Sequence, residues 1–114
     1  ILAPNLIRLA LSSNDLSGSF PMELTRSTSL EIIEISQNLF HGTIPTEIGL
    51  MSNVKQLLLD GNNWNGTLPT EIGLMTDLVH LTVSGLSGKV PSEFCALRFA
   101  TCISPGNADF CSCD

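Results

Sequence analysis

Apolar and polar positions recur along this chain in a fixed order, one cycle every 24 residues. Leu6, Leu30, Val54 and Leu78 keep that spacing, as do Leu9, Ile33, Leu57, Leu81 and Leu11, Ile35, Leu59, Val83. Asn14, Asn38 and Asn62 follow the same step, with Gly18, Gly42, Gly66 and Pro21, Pro45, Pro69. A fixed period of this length denotes a solenoid, in which each coil buries its apolar side against its neighbours. Around Ile33 and Ile35 the alternation has period two, which predicts a short strand with those side chains inward. One strand per coil, always in the same direction, builds a parallel sheet. Each Asn then turns the chain, its amide satisfying backbone groups that a tight coil leaves unpaired. Gly42 permits a close bend. Pro45 suits the first position of a short helix, and Glu47 places negative charge near its start.

The repeat Leu-x-x-Leu-x-Leu-x-x-Asn-x-Leu-x-Gly-x-Ile-Pro, running over about residues 5–97, resembles the plant-type leucine-rich repeat. Ile44-Pro-Thr-Glu-Ile-Gly-Leu-Met51 and Leu68-Pro-Thr-Glu-Ile-Gly-Leu-Met75 are most similar to secreted or cell-surface repeat proteins of diatoms. So is Val90-Pro-Ser-Glu-Phe-Cys-Ala-Leu97 with its cysteine-rich sequel. More broadly the pattern resembles plant receptor-like kinase ectodomains and polygalacturonase-inhibiting proteins. The resemblance implies a right-handed α/β solenoid, a horseshoe arc with a parallel concave sheet and short convex helices or 3-10 turns. It also implies an extracellular recognition role with ligand on the concave sheet. The organisation expected is about four repeats over 1–97 and a cysteine-rich cap over 98–114, its cysteines starting at Cys95. The opening Ile1-Leu2-Ala3-Pro4-Asn5 matches the tail of a repeat, so the chain reads as a fragment. Leu6, Leu9 and Leu11 then lack a preceding coil, and the first coil is expected to open before the middle ones or to associate end to end.

The fourth repeat departs from the rule. It is two residues shorter between Leu78 and Pro91 and lacks the turn Asn, running Val83-Ser84-Gly85-Leu86-Ser87-Gly88. Terminal repeats are commonly atypical because they meet a cap. Phe94, Leu97, Phe99 and Phe110 are the side chains expected to close the core. Cys95, Cys102, Cys111 and Cys113 crowd this end, which suggests two disulfides and an oxidising compartment. Zinc is the competing reading, but Cys-x-Cys without a second close pair or a nearby His fits structural zinc poorly. Cysteines one residue apart rarely bond each other. Cys111 and Cys113 are therefore expected each to take one of Cys95 and Cys102, with both arrangements open.

Charge narrows the function. The net charge of −6 and five scattered cations, Arg8, Arg26, Lys55, Lys89 and Arg98, argue against nucleic acid, which demands clustered Lys and Arg. No apolar run approaches the roughly 18–20 residues of a membrane span, so any anchor lies outside this segment. Nothing calls for a cofactor or a metal.

Opposite parity to the inward leucines places three ladders on the concave face: Arg8, Ile32, Gln56, His80; Ala10, Glu34, Leu58, Thr82; and Ser12, Ser36, Asp60, Ser84. Ile32 and Leu58 form an apolar centre, rimmed by the charges Arg8, Glu34 and Asp60, with Gln56 and His80 beside them in the first ladder. These seven are the candidate ligand-binding residues, for a protein, peptide or glycan at the cell surface. Four strands about 4.8 Å apart span under roughly 20 Å, so the chain alone should bind weakly or recognise something small. The competing reading of the face is a solvated sheet in a structural or adhesion segment. Catalysis is not expected. On idealised strands His80 lies roughly 14 Å from Asp60 and about 12 Å from Glu34, whereas proton transfer needs about 2.6–3.2 Å. No nucleophile elbow, Walker loop or histidine pair occurs. Glu23, Glu47, Glu71 and Glu93 could form a calcium ladder but are read as serving their own helix starts. Ser19, Thr43, Thr67 and Lys89 make a poor lattice for ice. Asn65-Gly66-Thr67 is an N-glycosylation sequon on an expected surface turn.

Overall fold

The computed structural model describes residues 3–113, so Ile1 and Leu2 of the repeat tail and Asp114 of the cap lie outside the described residues. The strands in chain order are β1 (Arg8–Ala10), β2 (Ser17–Gly18), β3 (Ile32–Glu34), β4 (Leu39–Thr43), β5 (Gln56–Leu58), β6 (Asn63–Asn65), β7 (His80–Thr82) and β8 (Thr101–Ile103). They form two parallel sheets, one ordered β1-β3-β5-β7-β8 and the other β2-β4-β6. Between coils run the 3-10 turns Met22–Arg26, Thr46–Leu50 and Thr70–Leu74, with the short helix α1 (Ser92–Cys95) in the same place in the fourth.

The 24-residue period appears directly as register. Leu9, Ile33, Leu57 and Leu81 are successive Cα partners, and Cys102 continues the row. Ile33, Ile35, Leu57, Leu59, Leu81 and Val83 are buried against Ile48, Ile72 and Phe94 from the turns. Trp64 fills the space between, stacked on Phe40 at 5.9 Å between centroids. Its indole N–H donates to the Leu59 carbonyl at 2.8 Å, so the polar atom brought into the core is satisfied.

The asparagines bind successive coils together. Asn38 Nδ2 donates to the carbonyls of Ile35 (3.1 Å) and Ser36 (3.2 Å) in its own coil and of Leu11 (2.9 Å) in the one before. Its Oδ1 accepts from the Leu16 N–H at 3.1 Å. Asn62 repeats this with Leu59, Asp60 and Ile35 as acceptors and the Phe40 N–H as donor. Asn14 serves the carbonyls of Leu11 and Ser12.

Two features differ from expectation on the turn side. The prolines cap the turns rather than open them: Pro21, Pro45 and Pro69 hold extended backbone, and their carbonyls accept the first bonds from Leu24, Ile48 and Ile72 at 3.1–3.2 Å. Proline's fixed φ allows either position, and an extended ψ places it just outside the helix. The segment after each Asn is also more than a bend. Leu39–Thr43 and its neighbours hydrogen-bond into the second sheet, with Gly42 and Gly66 at φ 89° and 77°, backbone that favours glycine.

The cap closes the core with Phe110, which is 1% exposed and whose carbonyl accepts from the Val90 N–H at 2.8 Å. Phe94 is also buried and Leu97 partly so, but Phe99 is 78% exposed and lies under the Arg98 guanidinium, 5.8 Å from the ring centroid. Outward parity explains this: Phe99, Thr101 and Ile103 share one side of the β8 segment, while Ala100 and Cys102 face the core. Disulfides join Cys95 to Cys113 and Cys102 to Cys111. At the opposite edge of the sheet Leu6, Leu9 and Leu11 are half-buried.

Candidate recognition face

The five-stranded sheet displays the candidate residues in register. Arg8, Ile32, Gln56, His80 and Thr101 form one row across the strands, and Ala10, Glu34, Leu58, Thr82 and Ile103 form the next. Strand β8 was not expected, and it widens the face by about 4.8 Å. It adds an exposed Ile103 to the row that holds Leu58. The signal was in the alternation of Thr101-Cys102-Ile103, with β-branched residues on either side of an inward cysteine.

The charged side chains Arg8, Glu34 and Asp60 are engaged by neighbouring side chains. Arg8 Nη2 reaches both carboxylate oxygens of Glu34 at 3.0 Å. Asp60 Oδ1 accepts from Ser36 Oγ at 2.7 Å and from Thr82 Oγ1 at 2.6 Å. Burial pushes the Asp60 carboxyl up, but hydrogen bonds from Thr82, Ser36, its own backbone N–H and Gln37 outweigh burial and hold it below its ordinary value. Gln37 lies over Gly61, where an added Cβ would collide with the Gln37 amide. Sequence spacing brought Ser36 and Asp60 into one ladder but gave no sign that Thr82, from the neighbouring ladder, shares the carboxylate.

A depressed carboxyl contributes stability that is present above the unfolded value, about 3.9, and is lost as pH falls through the folded value. Asp60→Asn should therefore cost about 1 kcal/mol at neutral pH. Acid unfolding followed by circular dichroism below about pH 4 should be shallower in the variant than in the parent.

His80 is oriented by the cap. Its Nδ1 hydrogen-bonds Thr101 Oγ1 at 2.8 Å, and that hydroxyl also lies 3.0 Å from the Val79 carbonyl. This contact engages Nδ1 and leaves Nε2 as the ring nitrogen open to a ligand. The Gln56 amide has no side-chain partner among the described residues. The face thus presents apolar Ile32, Leu58 and Ile103 interleaved with Gln56 and His80, whose polar atoms remain available, beside the Arg8–Glu34 pair and the hydroxyl-bonded Asp60. Seven sequence-derived residues share this sheet and its margin, and Thr101 and Ile103 join them.

Away from this face, Glu47, Glu71 and Glu93 accept from the hydroxyls of Thr46, Thr70 and Ser92 beside them at 2.9–3.3 Å. Among the described residues no group of three or more His, Cys, Asp or Glu could hold a metal, and no helix is long and apolar enough to cross a membrane.

The Leucine Rich Repeat family model matches residues 5–27. Comparison with curated proteins returns no match. Among solved structures the chain is similar to one in the BIR3–SERK2 complex of Arabidopsis thaliana, with 33% identity and a TM-score of 0.81 over 88% of this chain and 55% of that one. It is similar to a chain in the Arabidopsis HAESA–IDA–SERK1 complex, with 33% identity and a TM-score of 0.82 over 89% of this chain and 18% of that one. The plant peptide hormone receptor structure RGFR1 with RGF2 gives 36% identity and a TM-score of 0.82 over 89% and 16%. The chain thus spans about half of the first of these and under a fifth of the other two. Repeat pattern, stacked parallel sheets and these likenesses together show a leucine-rich repeat solenoid of the plant type.

Proposed function

We propose that this chain is part of an extracellular recognition module whose five-stranded sheet binds an extended, largely uncharged peptide segment. The observation that carries the reading is the arrangement of the face. Ile32 and Leu58 are half-buried and Ile103 is exposed, while Arg8 and Glu34 pair with each other and Asp60 is bonded by Ser36 and Thr82, so the charged groups of these rows are already engaged. Gln56 and His80 Nε2 can bond a peptide backbone between the apolar contacts. Structural relatives bind peptides, RGF2 by RGFR1 and IDA by HAESA, which supports ligand recognition. Two disulfides fit an extracellular location. The role proposed is binding, since among the described residues the charged groups of the face are held by neighbours.

The test uses peptides selected on the whole chain from a displayed random library. Ile32→Glu with Leu58→Glu should weaken a selected peptide at least about tenfold, which corresponds to about 1.4 kcal/mol, while circular dichroism stays unchanged. Unchanged affinity in this folded double variant would favour the structural-segment reading.

A further inference from the structure

We propose that Asn65 is an N-glycosylation acceptor whose glycan covers the open edge of the second sheet, an inference that rests on the extracellular reading above. Asn65-Gly66-Thr67 is the chain's one Asn-x-Ser/Thr triplet. The structure separates Asn65 from the asparagines that hold the fold. Asn14, Asn38 and Asn62 spend their amides on backbone carbonyls, and Asn53 donates to the Thr28 carbonyl at 2.6 Å. The Asn65 amide is exposed and has no partner among the described residues. Asn65 ends β6, Gly66 at φ 77° swings the chain away, and Thr67 is exposed beside it.

The site also lies where the second sheet stops. β6 pairs with β4 on one side, Asn65 opposite Thr43. On its other side the fourth coil, two residues short, supplies no strand. There Ser87 N–H donates to the Gly66 carbonyl, just past β6, at 2.7 Å, and Gly85 lies against the Trp64 carbonyl. An edge with free backbone groups invites pairing with another chain. A glycan at Asn65 blocks that approach and leaves the five-stranded sheet clear. In the transfer, Asn65 Nδ2 bonds to C1 of the reducing-end sugar of a lipid pyrophosphate-linked oligosaccharide. The C1–O bond to pyrophosphate breaks, the pyrophosphate keeps the electron pair, and Nδ2 loses one proton.

The test translates the full chain behind a cleavable signal peptide into endoplasmic-reticulum microsomes, so it does not depend on where the protein naturally resides or what it binds. Protease-protected, disulfide-bonded chain should carry one glycan, lost in Asn65→Gln and Thr67→Ala and kept in Thr67→Ser. Protected, oxidised chain without a glycan overturns the site. Glycosylated protein should then sediment as a monomer at concentrations where the enzymatically deglycosylated protein self-associates. Equal association of the two forms overturns the shielding role.

Discussion

Replacing all four cysteines with serine should lower the unfolding free energy by about 6 kcal/mol and release the cap before the rest of the chain unfolds. The Cys95–Cys113 and Cys102–Cys111 bridges close segments with sequence separations of 18 and 9. In the chain-entropy view each contributes about 3 kcal/mol, the longer segment slightly more. The second bridge has the more specific consequence, because Cys102 is the inward residue of β8. Cys102→Ser with Cys111→Ser should loosen β8, withdraw Thr101 from His80 and Ile103 from the recognition face, and expose the end of the core that Phe110 closes. Urea unfolding should show the loss of stability, and hydrogen exchange should place the earliest opening in residues 98–113. A variant that keeps the parent's urea midpoint and β8 protection would mean that Phe110 and Phe94 suffice to hold the cap.

The second large effect is expected at Asn38. Removing its amide in Asn38→Ala leaves the Leu11, Ile35 and Ser36 carbonyls and the Leu16 N–H without their partner. Each buried group left unsatisfied costs on the order of 1–3 kcal/mol, and water can re-solvate those nearest the surface, so the net cost should be about 3 kcal/mol. Asn14→Ala removes an exposed amide that bonds only its own coil, and should cost under about 1 kcal/mol. The contrast between two chemically identical substitutions is the diagnostic quantity. Equal losses at the two sites would mean that the asparagines act only on their own turns and do not couple successive coils.

Much of this fold was legible because stacking copies one set of constraints into every coil. The inward triplet around Ile33 and Ile35, the turn asparagines and the alternating outward ladders each recur with the coil, so a reading of one coil could be checked against the next. What escaped were features that stacking creates without a local signature. Ser17–Gly18 and Leu39–Thr43 carry no strong strand preference. They pair because the turn before them delivers each segment beside its predecessor, and β propensity is largely a matter of such surroundings. The left-handed position at Ser13, Gln37, Gly61 and Gly85 is another case. Two glycines marked it, but serine and glutamine in the earlier coils hid the shared requirement. In the cap, hydrophobicity alone assigned Phe99 to the core, whereas the alternation through Thr101 and Ile103 turns it outward beside Arg98. The same alternation held the evidence for β8, obscured because Cys102 was read only as a disulfide partner.

The site divides in the same way. Parity placed Arg8, Ile32, Glu34, Gln56, Leu58, Asp60 and His80 on one sheet. It could not show that Arg8 and Glu34 neutralise each other, or that Asp60 is held by Ser36 and Thr82. Those contacts depend on rotamers and on strands meeting in register, and they decide which polar atoms remain for a ligand.

The central claim is that recognition occurs on the five-stranded sheet. At 12.2 kDa the chain is well suited to nuclear magnetic resonance, which detects the weak binding expected of so small a face. Titration with a library-selected peptide should shift the amide and methyl signals of Ile32, Gln56, Leu58, His80 and Ile103 together. Signals from Leu39, His41 and Asn63 on the second sheet, and from Leu50 and Leu74 on the 3-10 turns, should stay in place. Shifts concentrated on the second sheet or the turns, with the five-stranded sheet unmoved, would contradict the account.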